Sequence, residues 1–181
     1  YQERRDGRVA GQDFLNLIAW ELAKAGIASL RLDDRGVGQS GGDFADTTLP
    51  SLTADALAAA DWLRARKDVS KVAYLGHSEG ALVATICGAK DPAAAAVFRL
   101  AGPAKTLDVV LEEQSLALNE LGGVGIEIYE HMCRFHALVR KATTDDIEDG
   151  GQRVHVAWLR SHFSHDPAAA ALGVKCPMEI F

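Results

Sequence analysis

A serine hydroxyl is a weak nucleophile at neutral pH. It needs a base to take its proton, a carboxylate to orient that base, and main-chain donors for the oxyanion that its attack creates. The segment Leu75-Gly76-His77-Ser78-Glu79-Gly80 has the G-x-S-x-G spacing that such a serine uses. In that pattern a strand runs straight into a helix, and the flanking glycines allow a turn tight enough to push the serine side chain out at the carboxyl edge of a sheet. Gly76, His77 and Gly80 would shape the elbow around Ser78. The backbone N–H of the next residue, Glu79, would be one oxyanion donor, a main-chain role that does not use its carboxylate. With 17 Gly and 8 Ser in 181 residues the bare pattern arises by accident about 0.07 times, so the surrounding elements must decide its meaning.

Those elements alternate. Residues 12–25 carry apolar side chains at 14, 15, 18 and 22, a helical stripe ended by Gly26, and 27–32 is an apolar run of strand length. The order repeats in a helical stripe over 51–66 (Leu52, Ala56, Ala59, Leu63) and a strand over 71–75. A helix over 79–90 and an apolar strand over 94–101, closed by Gly102 and Pro103, follow. Strands alternating with helices predict the α/β class, a doubly wound, mainly parallel sheet covered on both faces. From 104 to about 166 helices take over. Leu107, Val110, Leu111 and Leu118 mark one that stops at Gly122 and Gly123, Ile128, Met132, Phe135 and Val139 mark a second, and a third holds Trp158. Strand character resumes over 174–181. The expected organisation is a core with the elbow over 1–103, a helical lid over 104–170, and a return to the core sheet over 171–181. Tyr1 stands where a Met would begin a chain and a strand is still in progress at Phe181, so the sheet is expected to be incomplete at both ends. The compartment stays open.

Composition narrows the partners. The chain is 48% hydrophobic and 24% charged, as one globular domain with a core should be. Nineteen basic against twenty-five acidic residues give a formal charge of -6, which disfavours nucleic acid or an anionic membrane surface. No apolar run approaches the roughly 18 residues of a membrane span. Cys87, Cys133 and Cys176 are odd in number and widely spaced, which suggests reduced core thiols and no metal or disulfide framework.

The elbow Gly76-His77-Ser78-Glu79-Gly80, the upstream Asp33-Asp34-Arg35-Gly36-Val37-Gly38-Gln39-Ser40-Gly41 and the strand end Leu100-Ala101-Gly102-Pro103 together resemble the α/β-hydrolase superfamily. The likeness is to its bacterial carboxylesterases and serine-aminopeptidase-like members and covers nearly the whole chain. Leu111-Glu112-Glu113-Gln114 and the stretch from Asp166-Pro167 to Val174-Lys175-Cys176-Pro177 share it, whereas a dehalogenase would carry a carboxylate where Ser78 stands. The resemblance implies a hydrolase that needs no cofactor and acts on small-molecule esters through an acyl-enzyme on Ser78. It also implies a triad acid after the strand in progress at Phe181 and a histidine later still, both beyond residue 181. The second oxyanion donor would come from a loop whose tail residues 2–7 resemble, with Gln2 as the candidate.

Other polar residues carry competing interpretations. His77 adjoins Ser78 and should point away from it, while His131, His136, His155, His162 and His165 fall in the lid, on solvated or packed faces. Asp108 follows the strand before the lid, where some hydrolases keep the acid. Asp33, Asp34 and Arg35 either bind a ligand or stabilise a turn whose backbone demands Gly36, Gly38, Gly41 and Gly42 meet. His162-x-x-His165 has metal-like spacing without a convincing third ligand. Met132, Phe135, Trp158 and Phe163 would be either an acyl pocket or plain core. An aminopeptidase using the lid's Glu112, Glu113 and Glu120 for a substrate amine, a thioesterase or acyltransferase, and a binding protein that kept the fold without the chemistry are the rival functions.

Overall fold

In a computed structural model, residues 8–9, 12–122 and 125–181 are described, and the chain divides into two compact units, Tyr1–Thr47 and Thr48–Phe181. The first holds two short antiparallel strands, β1 (Arg8–Val9) and β2 (Gln12–Asp13), and helix α1 (Phe14–Lys24). The apolar run 27–32 pairs with no strand among the described residues. Ile27, Leu30 and Leu32 are exposed there, because apolar composition makes a strand only where another backbone supplies the ladder. After it comes a turn organised by Asp33, which accepts the Gln39 N–H at 3.3 Å through its carboxylate and the Ser40 hydroxyl at 2.7 Å through its carbonyl.

The second unit starts with helix α2 (Leu49–Arg64). Thr48 and Ser51 form a reciprocal capping box, and Pro50 sits in the first turn, where its missing N–H does no harm. Strand β3 (Val72–His77) leads into helix α3 (Glu79–Lys90), followed by β4 (Ala94–Leu100). The middle of α3 is buried all round, with Ala81, Leu82, Ala84, Thr85, Ile86 and Cys87 enclosed.

Helices α4 (Leu107–Glu120) and α5 (Ile126–Lys141) come next. They are followed by an antiparallel hairpin of β5 (Asp146–Asp149) and β6 (Gln152–His155), then by α6 (Ala157–Phe163) and α7 (Pro167–Leu172). The hairpin was not expected from the sequence, because Asp-Ile-Glu-Asp lacks strand-like composition. Its signal is the turn, where Gly150 and Gly151 both take positive φ, 57° and 78°, as a two-residue hairpin loop requires. Strand β7 (Met178–Ile180) is shorter than the expected 174–181.

Strands β3, β4 and β7 make a parallel sheet in that order, the mainly parallel α/β architecture expected. Alternation along β3 turns Val72 and Tyr74 into a core with Ala60 of α2, Ala84 and Cys87 of α3, and Val97 of β4. Ala73 and Leu75, on the other face, stay exposed. A second small cluster joins Leu49, Leu82 and Ile86, with Ala170 of α7 packed against it.

Candidate active site at the end of strand β3

Parallel register brings the carboxyl ends of the three strands level. His77 pairs with Leu100 and Arg99 with Ile180, and the ladder continues as the Phe181 N–H donates to Arg99 O at 2.9 Å. Ser78 sits just past that edge. Its N–H donates to Leu100 O at 2.9 Å, and its carbonyl accepts the Ala81 N–H at 3.0 Å, so the backbone is held from both sides. That grip sustains φ 53° and ψ -118°, a conformation L-residues rarely adopt and one that persists only where the surroundings over-determine it. Among the described residues only Ala101, at the matching end of β4, shares a positive φ without being glycine.

This backbone has a chemical consequence. Ser78 precedes the first turn of α3, where a serine ordinarily turns its hydroxyl back to cap the helix; here it makes no capping bond and is exposed. The Glu79 N–H, one of the donors a helix start leaves over, has no acceptor among the described residues. An exposed hydroxyl and a main-chain donor are two of the parts that attack on a carbonyl carbon requires.

The two glycines of the elbow are not equivalent. A Cβ on Gly76 would meet the Gly80 carbonyl oxygen at 1.9 Å and the Ala81 nitrogen at 2.6 Å, whereas one on Gly80 would meet nothing within 4 Å. The close approach of strand and helix backbones therefore rests on Gly76. His77 ends β3, half-buried.

No histidine hydrogen-bonds Ser78 among the described residues. His136 Nδ1 lies 3.0 Å from Glu112 Oε1, and its ring packs edge-on against Phe163 with centroids 5.0 Å apart. His155 Nδ1 lies 3.1 Å from Asp146, and His131 faces Asp149 at 3.7 Å. Burial, with Lys90 and His162 adding to it, pushes His165 below the usual imidazole range against the pull of Asp166. His162, which is 1% exposed, has Nδ1 2.8 Å from the carbonyl of Trp158 and Nε2 2.7 Å from Glu79 Oε1. No group of three or more metal-ligating side chains occurs among the described residues.

Asp108 is paired with Arg140. Burial opposes its ionisation, but bonds from Thr106, Arg140 and the Val109 N–H outweigh it and hold the carboxyl below the usual range. Arg140 Nε donates to its Oδ2 at 2.5 Å and Nη2 to Glu112 at 2.7 Å, clamping α4 to α5. Gln2, the candidate second donor, lies outside the described residues, as does Gly123.

Sequence reasoning missed the carboxylate of Glu79. Its Oε1 accepts the Trp158 indole N–H at 2.7 Å, joining the elbow to α6 across 79 residues. A second tie joins α6 to the start of α2, where the Leu49 N–H donates to Ser161 Oγ at 3.0 Å.

A parallel sheet whose strand breaks through a strained serine into a helix is the signature of the α/β-hydrolase fold. Among solved structures, Est1E from Butyrivibrio proteoclasticus with ferulic acid bound shares it. The TM-score is 0.64 at 17% sequence identity, over 98% of this chain and 64% of that one. The family model for serine aminopeptidases (S33) matches residues 7–156, and the chain belongs to that family. Esterase EstD of Thermotoga maritima is 32% identical over 162 residues, which are 89% of this chain and 38% of EstD.

Proposed function

We propose that this chain carries the nucleophile half of a serine hydrolase that cleaves carboxylic esters, with Ser78 as the nucleophile. The observation that carries the proposal is the Ser78 backbone, which withholds the hydroxyl from helix capping and leaves it exposed next to the Glu79 N–H. Ser78 Oγ attacks the ester carbonyl carbon and passes its proton to a histidine base, while the Glu79 N–H donates to the oxyanion. The tetrahedral intermediate then collapses. The C–O bond to the alcohol breaks, the alcohol leaves with the proton held by the base, and water hydrolyses the acyl-enzyme by the same route in reverse roles.

Base and acid are assigned to chain beyond residue 181. The ends of β3, β4 and β7 are level, which puts Phe181 at the edge that carries Ser78, two strand spacings or about 10 Å away. An imidazole bridges such a gap between a serine and a carboxylate. Within the second unit, residues 104–170 act as a lid and 171–181 as the return to the sheet.

Esters are favoured over aminoacyl amides by the state of one lid carboxylate. Glu112 is held by Arg140 and His136, which leaves it a poor anchor for a substrate amine. The esterase name of EstD points the same way. The test is Ser78→Ala in the full-length protein. Turnover of p-nitrophenyl acetate should fall by roughly 10⁴-fold or more while the far-ultraviolet circular dichroism is kept, and a fluorophosphonate probe should label the parent at Ser78 and fail on the variant. Undiminished turnover, or labelling elsewhere, refutes the assignment.

A further inference from the structure

We infer that Glu79 has a second role, through its side chain: its carboxylate pins lid helix α6 to the elbow and so sets where Trp158 stands beside the reacting serine, making Glu79 a positioning residue for acyl-group selectivity. The inference rests on Ser78 being the reacting residue.

Two contacts converge on one oxygen, and a ring contact joins their partners. Glu79 Oε1 accepts the Trp158 indole N–H at 2.7 Å, a bond that a charged acceptor strengthens. The same oxygen lies 2.7 Å from Nε2 of His162, an atom that makes no hydrogen bond among the described residues. Trp158 and His162, one helical turn apart, face each other with ring centroids 4.6 Å apart, so the carboxylate, indole and imidazole form one packed group.

The surroundings make the contact consequential. Helix α6 is only seven residues long and has no side-chain cap, so its own hydrogen bonds fix its place weakly. Among the described residues, the other hydrogen bond that ties α6 to α2 or α3 is Leu49 to Ser161. Glu79 is the first residue of α3 and follows Ser78, whose own backbone is hydrogen-bonded on both sides. A carboxylate fixed to the elbow that holds an indole by its only polar atom sets the distance between the Ser78 turn and an aromatic wall. Of the lid residues suspected of lining an acyl pocket, Trp158 is the one hydrogen-bonded to the elbow; Phe163 packs on His136 instead.

The experiment uses the full-length protein in a Trp20→Phe, Trp62→Phe background, which leaves Trp158 as the only tryptophan of this chain; any tryptophan beyond residue 181 is replaced likewise. Two readouts are taken on Glu79→Ala and Glu79→Gln, namely the emission maximum of Trp158 and the ratio of kcat/KM for p-nitrophenyl acetate to that for p-nitrophenyl octanoate. Glu79→Ala removes the acceptor, so the emission should move to longer wavelength and the ratio should change by about fivefold or more. Glu79→Gln keeps an oxygen for the indole N–H, so both readouts should return most of the way to the parent values.

An unchanged ratio in Glu79→Ala, or a Glu79→Gln variant as altered as the alanine, overturns the inference. Ser78→Ala run alongside separates the two proposals. If that variant keeps full turnover the nucleophile assignment fails, whereas the emission shift and its rescue still report whether Glu79 pins Trp158.

Discussion

Gly76→Ala and Gly80→Ala change the same elbow by the same single carbon, and the structure separates their outcomes. At Gly76 the added carbon would stand 1.9 Å from the Gly80 oxygen and 2.1 Å from its carbonyl carbon. Ordinary contact requires the start of α3 to retreat by about 1.5 Å. It has little freedom to do so, because Ala81 is fully enclosed and Leu82 is 3% exposed. Overpacking of this kind costs about 2 to 3 kcal/mol. At Gly80 the added carbon enters open space inside a helix, where alanine is favoured over glycine by about 0.5 to 1 kcal/mol. The two variants of the full-length protein should therefore differ by about 3 kcal/mol, which at a urea m-value of roughly 2 to 3 kcal/mol/M is about 1 M between midpoints. Displacing the elbow by an ångström should also lower ester turnover by about 100-fold in Gly76→Ala even where it is folded. Midpoints within about 0.2 M of each other would refute the steric reasoning.

Stability should also respond to pH through two buried groups. Burial opposes ionisation of Asp91, but bonds from the Tyr74 hydroxyl at 2.6 Å, from Arg64 and from the Ala93 N–H outweigh it and hold the carboxyl below its ordinary range. A depressed carboxyl adds stability that is complete above its unfolded value near about pH 4 and is lost as pH falls through the folded value. Asp91→Asn should thus flatten the acid limb of a urea midpoint against pH curve. Burial, helped by Asp91 and opposed by Lys90, pushes the Cys87 thiol up to about 12. A raised thiol contributes stability that is complete below the unfolded value near about 8.5 and is lost as pH rises toward the folded one, so Cys87→Ala should flatten the alkaline limb. Arg140→Met leaves Asp108 without its cation and should cost about 2 kcal/mol by urea unfolding, less than a fully buried pair because Arg140 is 40% exposed. Arg140→Lys should recover only part, since an ammonium cannot fork between Asp108 and Glu112.

What the sequence by itself determined is local. Helix α3 falls on the expected 79–90, and β3 and β4 lie within a residue or two of expectation, because strand, turn and helix succeed one another in a single stretch and the glycine spacing marks the join. The family resemblance was legible for the same reason, since the motifs that carry it are short and contiguous. Tertiary structure decided what depends on partners far along the chain. The apolar run 27–32 reads as a strand but has no ladder among the described residues. Asp108 reads in the sequence as a candidate acid, and only the structure pairs it with Arg140, 32 residues on. Glu79 had only a main-chain role to offer until its carboxylate met the indole of Trp158. Spacing along the chain fixes which backbone groups meet, because covalent geometry and hydrogen-bond periodicity operate over a few residues. Which side chains meet across 30 to 80 residues is set by how helices pack on the sheet, which no local pattern encodes.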